Sequence, residues 1–163
     1  MGRINRSLLA GRERDPKLAL LRRIPMFRAL SRADLDRVAA VLDEINLPQP
    51  GEVLMREGEA NRTLFILTEG EAEVTLRGQS LRRQGPNDFL GLPSLLDDQQ
   101  AAVTVTTTTP AKALVASTSQ FATLRTIGDL ELRMRSEIMG RLRRDFVAVA
   151  QPGDGPSGPA RVA

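Results

Sequence analysis

Turn residues divide the middle of this chain into short stretches. From Pro48 onward they recur at regular intervals, at Gly51, Gly58, Gly70, Gly78, the Gly-Pro-Asn-Asp run of residues 85–88 and Gly91. Turns at such spacing indicate many short β-strands. We therefore expect a fold that is mainly β in its central part.

Three of these stretches have the composition of strands. Residues 63–68, 72–76 and 103–109 are β-branched or alternate apolar with polar side chains. The Glu69-Gly70-Glu71 turn is expected to close the first two into a hairpin. The pattern predicts a barrel or jelly roll, in which the threonines of the third stretch contribute strand propensity rather than a hydroxyl-rich site.

Helices are predicted on both sides of the strands. Pro16 suits the start of one helix, and Ser31, three residues before Asp34, has the form of a cap for a second. After the strands, a short helix is expected at residues 120–127 and a longer one at 129–150.

The length of the chain favours one domain. With 163 residues there is enough sequence for one core of ordinary size and too little for a second. We expect a flexible Arg-rich arm at residues 1–15, a domain at 16–150, and a disordered tail rich in proline and glycine at 151–163.

Missing residue types exclude most enzyme classes. The chain has no cysteine and no histidine, which removes thiol nucleophiles, the usual zinc sites, serine–histidine triads and an imidazole base. The acidic residues near the first turn lack the spacing of a known metal-binding loop. The sequence therefore predicts a protein that is not an enzyme and holds no metal.

Charge and hydropathy bear on partners and compartment. The net charge is only +3, acidic residues interrupt the arginines of the last helix, and there is no Trp or Tyr on which bases could stack. No apolar run approaches the roughly 18 residues of a membrane span, and the apolar patch near the N-terminus is too short for a signal peptide. We expect a cytoplasmic protein without nucleic acid as a partner and without membrane insertion.

The long C-terminal helix has two apolar faces. Ile127, Leu130, Met134 and Ile138 lie on the first, and the second carries Leu132, Met139, Leu142, Phe146 and Val149. The second face could contact a partner helix, most simply its own copy in a symmetric dimer. The alternative is that both faces bury against the same domain.

Two stretches carry a resemblance to a known family. Residues 24–31 read Ile-Pro-Met-Phe-Arg-Ala-Leu-Ser, and residues 64–74 read Leu-Phe-Ile-Leu-Thr-Glu-Gly-Glu-Ala-Glu-Val. They resemble the P-L-F-x-x-L-S and Y-F-I-L-x-x-G-x-V-x-V patterns of the cyclic nucleotide-binding domains found in bacterial cyclic AMP receptor-like regulators, kinase regulatory subunits and gated channels. The resemblance covers roughly residues 20–146. It implies a regulatory role in signalling and a double-stranded β-helix, or jelly-roll barrel, of about eight strands, with N-terminal helices, a short cassette helix and C-terminal helices.

Ligand binding in this family rests on a phosphate-binding cassette of the form F-G-E-x-A/S-L-L followed by P-R-S/T/A-A-T-V. The sequence here aligns with that cassette from Gly91 onward without gaps. The resemblance thus gives seven candidate ligand-binding positions: Gly91, Leu92, Pro93, Ser94, Gln100, Ala101 and Ala102.

Both polar anchors of the cassette are replaced. The family's acid, which binds the ribose 2′-hydroxyl, corresponds to Leu92, and the family's arginine, which binds the cyclic phosphate, corresponds to Ala101. Pro93 removes a backbone donor, and Asp97 and Asp98 add negative charge nearby. Losing two hydrogen bonds to charged groups weakens binding by about 3–6 kcal/mol, on the order of a hundredfold to more than ten-thousandfold. The pocket is expected to be degenerate, without cyclic AMP or cyclic GMP as a normal ligand.

Several functions remain open at this point. The favoured one is a stand-alone, non-catalytic regulatory module that acts through protein–protein interaction or dimerisation. Alternatives are a cyclic nucleotide sensor with substitute anchors, such as Arg125 or the amides of Gln99 and Gln100, and a sensor of a less charged ligand in a more apolar cavity. That cavity could also be filled by neighbouring side chains. A DNA-reading output domain is not expected, because only about 13 residues follow Ala150.

Overall fold

The computed structural model describes residues 15–150, with side chains through Arg144, and contains eight strands in that part of the chain. They are β1 (Asp43–Leu47), β2 (Val53–Met55), β3 (Thr63–Glu69), β4 (Ala72–Leu76), β5 (Gln79–Gln84), β6 (Phe89–Leu90), β7 (Thr104–Thr107) and β8 (Ala111–Ser117). Two antiparallel sheets result, in the orders β1-β8-β3-β6 and β2-β7-β4-β5. The expected mainly β architecture with flanking helices is confirmed.

Within residues 15–150, five helices accompany the sheets. They are α1 (Pro16–Arg23), α2 (Arg32–Val41), α3 (Leu92–Leu96), α4 (Thr118–Leu124) and α5 (Leu130–Ala150). Ser31 caps α2 as predicted, because its Oγ accepts from the Asp34 N–H at 3.1 Å. The predicted arm, except for Asp15, and the predicted tail lie outside the described residues.

The short helix α4 begins two residues earlier than predicted and also ends earlier. Ser117 forms a reciprocal capping box with Gln120, in which each side chain bonds to the other residue's backbone N–H. This pair of bonds fixes the first turn at Thr118. The predicted bounds of residues 120–127 therefore lie too far toward the C-terminus.

The hairpin predicted at Gly70 is wrong, since β3 and β4 belong to different sheets. At Gly70 the chain passes from one sheet to the other. The connection from β7 to β8 lies beside it and also joins the two sheets. A Cβ on Gly70 would lie 2.8 Å from Ala111 Cα, and its φ is +85°, so glycine is needed for this close approach. The actual hairpin joins β4 to β5 through Arg77 and Gly78. Both residues have positive φ, as a two-residue type I′ turn requires.

Two apolar clusters make the core. The smaller lies between the sheets and contains Val74, Leu90 and Val105. The larger joins the helices to the sheet of β3 and β8, and it includes Leu130 and Met134 from the first face of α5. The start of α5 is therefore fixed to the domain. Among residues 15–150, no helix has both the length and the hydropathy needed to cross a bilayer.

Candidate functional site

A cavity of about 250 Å³ lies between the segment after β6, strands β4 and β5, and helix α5. All seven positions for which the resemblance predicts ligand contact line it: Gly91, Leu92, Pro93, Ser94, Gln100, Ala101 and Ala102. Neighbouring side chains leave this volume empty, which contradicts the alternative that they fill the cavity.

The start of α3 is built on a glycine and held by a polar contact to the loop before β3. Gly91 has φ +85°, and a Cβ there would lie 2.8 Å from the Thr63 carbonyl oxygen. Asn61 Nδ2 donates to Gly91 O at 3.1 Å and to Ser94 Oγ at 3.0 Å. Ser94 Oγ donates its hydrogen to Gly91 O at 3.0 Å, so towards a ligand this hydroxyl can only accept.

The two anchor positions hold buried apolar side chains. Leu92 belongs to the larger core cluster, and Ala101 is also buried. The backbone of Ala101 is occupied as well, since its N–H donates to Glu59 O and its carbonyl accepts from Gly58 N–H, both at 2.8 Å. Neither the side chain nor the backbone of this residue is available to an anionic ligand.

The acidic residues after α3 differ in their relation to the cavity. Asp97 lines it, and its Oδ1 lies 3.4 Å from Arg135 Nη1 on α5. Asp98 is not part of the lining. Of these two acids, Asp97 alone lies at the cavity, and its carboxylate is paired with an arginine.

Arg141 on α5 was not singled out by the sequence, and it closes one side of the cavity. Its Nη1 donates to the Phe89 carbonyl at 2.8 Å, and its Nη2 lies 3.6 Å from Asp88 Oδ1. Burial lowers the pKa of this guanidinium, and the charge of Asp88 opposes that shift. Its spacing of seven residues from Met134 and three from Ile138 places it on the first face of the helix, a signal that could have identified it.

Strand β5 contributes a second polar wall that sequence reasoning also missed. Arg82 and the buried Gln84 line the cavity. With its amide oriented to satisfy both neighbours, Gln84 accepts from Arg82 Nε at 2.8 Å and donates to Asp88 Oδ2 at 2.8 Å. A connected polar network thus runs from Arg82 to Arg141 through Gln84 and Asp88.

The substitute anchors named from sequence fall in different places. Arg125 does not line the cavity: it binds Glu131 through two hydrogen bonds of 3.0 and 2.8 Å, which lower the pKa of that carboxyl. In this arrangement Arg125 is not placed to act as the substitute phosphate anchor. Gln99 and Gln100 do line the cavity, and Gln99 Nε2 donates to the Asp97 carbonyl at 3.1 Å.

The second face of α5 is exposed where its side chains are described. Leu132, Met139 and Leu142 expose 70%, 55% and 56% of their surface, so they do not bury against this domain. Leu142 also touches the mouth of the cavity. Phe146 and Val149 lie outside the described side chains. Within residues 15–150, no group of three acidic, histidine or cysteine side chains is placed to hold a metal ion.

Comparisons with known proteins agree with this geometry. The family model of the cyclic nucleotide-binding domain matches residues 48–126. The cAMP-dependent protein kinase regulatory subunit of Colletotrichum orbiculare is 31% identical over 117 residues, covering 71% of this chain and 29% of that protein. The counterpart from Emericella nidulans is 30% identical, covering 72% and 28%. The chain spans less than a third of the length of these relatives.

Solved structures share the fold. One described as cAMP-bound PfPKA-R superposes with a TM-score of 0.72 at 18% identity, covering 88% of this chain and 50% of that one. The regulatory subunit of a cAMP-independent protein kinase A from Trypanosoma brucei gives the same TM-score of 0.72 at 20% identity, covering 86% and 50%. One of these proteins is bound to cAMP and the other is cAMP-independent. A shared fold therefore does not identify a ligand, and the residues of the pocket must be considered.

Proposed function

This chain belongs to the cyclic nucleotide-binding domain family, and from that premise we propose that it is a non-catalytic regulatory module whose pocket does not take cyclic AMP or cyclic GMP in the family's way. One observation carries the proposal. The positions of the two family anchors hold Leu92 and Ala101, both buried and apolar. A ribose hydroxyl and a cyclic phosphate would lose the hydrogen-bonding partners that the family provides at these two positions.

The regulatory output of this module is a protein contact made through α5. The exposed face formed by Leu132, Met139 and Leu142 supports this part of the proposal, since large apolar side chains on a helix surface are typical of contact sites. The partner that contacts this face is a second copy of the chain or a helix of another protein. The relatives reported above are regulatory subunits of protein kinases, which supports a regulatory role for this module.

Calorimetric titration with cyclic AMP and cyclic GMP tests the pocket. We expect no heat of binding up to millimolar nucleotide for the natural chain. The double variant Leu92→Glu, Ala101→Arg restores both anchors, and we expect it to gain at least about a hundredfold in affinity, as two charged hydrogen bonds imply.

Two controls make the titration decisive. Ala101→Arg alone keeps the buried Leu92 and tests the phosphate anchor without disturbing the core cluster. Ala122→Arg places the same guanidinium on an exposed residue of α4 outside the cavity lining and should leave the nucleotides unbound. Micromolar binding by the natural chain would refute the proposal.

A further inference from the structure

The cavity beside the cassette is lined mainly by apolar side chains. Val74 and Val105 come from one sheet and Leu90 from the other, and all three are buried. Leu92 and Ala101, at the two anchor positions, belong to the same lining and are buried as well. Members of both core clusters therefore form the wall, and its surface has the character of the protein core.

The acidic side chains of the lining are paired with cations outside it. Asp97 Oδ1 lies 3.4 Å from Arg135 Nη1, and Glu137 Oε1 lies 3.6 Å from Arg144 Nη2. Both acids are also partly exposed to solvent. Neither carboxylate therefore needs a cation from a ligand in the cavity.

The arginines and the buried amide of the lining are also engaged within the protein. Arg141 donates to the Phe89 carbonyl at 2.8 Å and pairs with Asp88 at 3.6 Å. Gln84 bonds to Arg82 and Asp88, and Arg82 has an interaction beyond that bond. Among the described side chains, no buried nitrogen or oxygen lacks a hydrogen-bonding partner. A charged ligand would have to break an existing bond or give up its hydration without a replacement.

The volume sets the size of the ligand. An apolar cavity of about 150 Å³ stays free of water and takes up benzene. The cavity here has about 250 Å³, which corresponds to about two fused six-membered rings by the same measure. A molecule of this kind exchanges hydration for contact with the apolar wall and needs no hydrogen bond from it.

We propose that the cavity binds a small uncharged ring compound with a mainly hydrocarbon surface. Its rings contact Leu92, Ala101 and Val105, so the residues that replace the nucleotide anchors form part of a different site. This inference rests on the proposed function, because it names the ligand class of the pocket that does not take cyclic nucleotides in the family's way.

Fluorescence titration with naphthalene tests the ligand class. The chain contains no Trp or Tyr, so the emission of naphthalene is measured with little protein background. We expect saturable binding that protects the probe from quenching by iodide. The same ring with a negative charge, 2-naphthoate, or with a positive charge, 2-naphthylmethylammonium, should bind at least about tenfold more weakly. No saturable binding of naphthalene up to its solubility limit, or equally tight binding of a charged analogue, would overturn the proposal.

Two lining variants and one matched control locate the site. Val105→Thr keeps the shape of a buried lining residue and adds a hydroxyl, so it should weaken naphthalene binding about tenfold. Val115→Thr makes the same change on β8 outside the lining and should leave the affinity unchanged. Ala101→Leu fills part of the cavity and should also weaken binding, and urea denaturation shows whether each variant is folded. If neither lining variant weakens naphthalene binding, the probe does not occupy this cavity and the assignment fails.

Calorimetry with the cyclic nucleotides separates this inference from the proposed function. If neither naphthalene nor a nucleotide binds, the ligand class is overturned and the proposed function stands. Micromolar binding of a cyclic nucleotide refutes the proposed function, whatever the result with naphthalene.

Discussion

Single residues decide both the shape and the chemistry of the pocket. Gly91 permits the turn into α3, and Asn61 ties that turn to the loop before β3 through two hydrogen bonds of 3.1 and 3.0 Å. These contacts shape the start of α3, whereas the resemblance assigns the ligand anchors to the positions of Leu92 and Ala101. Shape and ligand chemistry are therefore carried by different side chains, and one can change without the other.

The role of Gly91 leads to a stability prediction. Gly91→Ala combines a positive φ with a Cβ placed 2.8 Å from the Thr63 carbonyl oxygen, whereas Gly78→Ala has a positive φ and open space around it. We expect Gly78→Ala to lower the free energy of unfolding by about 1 kcal/mol, and Gly91→Ala by about 1–2 kcal/mol more. Urea denaturation followed by circular dichroism measures both. Equal losses would mean that the close approach at Gly91 costs nothing.

The seven cassette positions could be predicted because they are nearly contiguous in the chain and follow a linear pattern. Arg82, Gln84 and Arg141 come from two other elements, and only the fold brings them to the same cavity. A linear motif carries no information about such neighbours. For Arg141 the helical spacing from Met134 was available as a signal, since it places the arginine on the first face of α5.

At the scale of elements, the strands were easier to predict than their pairing. The turn at Gly70 was recognised correctly as a turn, yet it links two sheets rather than two paired strands. Local sequence specifies a reversal of the chain, while the partner of each strand depends on contacts far along the sequence.

Helix α5 is held over the cavity by side chains of this domain. Arg141 donates to the Phe89 carbonyl at 2.8 Å, and Arg135 reaches Asp97 at 3.4 Å. Both contacts join the helix to the rest of the domain through the protein's own cations. The aliphatic part of the Arg141 side chain also packs along the cavity wall. A substitution that tests the charge alone must keep this packing.

Removing the guanidinium of Arg141 should therefore loosen this part of α5. Arg141→Met keeps an unbranched side chain and loses a charged hydrogen bond of about 1.5–3 kcal/mol. We expect amide hydrogen exchange in residues 138–144 to become about ten- to a hundredfold faster. Arg143→Met, at an exposed position on the same turn, is the control. If both variants exchange at the natural rate, Arg141 does not dock the helix.

At the scale of the whole molecule, α5 connects three parts of the protein. Leu130 and Met134 anchor it in the core, Ile138 and Arg141 line the cavity, and Met139 is exposed on its other side. The cavity and the outer face therefore lie on the same few turns of one helix. A regulatory module needs such a link between a pocket and a contact surface.

That outer face gives the last prediction, on self-association. We expect the chain to form a dimer at high micromolar concentration in sedimentation or light-scattering measurements, with the exposed apolar side chains of α5 at the seam. Met139→Asp lies away from the cavity lining and should raise the dissociation constant at least tenfold, since it places a charge in an apolar contact. Leu81→Asp changes an equally exposed leucine, 51% accessible on β5, and should leave the dimer intact. A natural chain that stays monomeric at that concentration would contradict this prediction. A dimer that survives Met139→Asp would place the seam elsewhere on the domain.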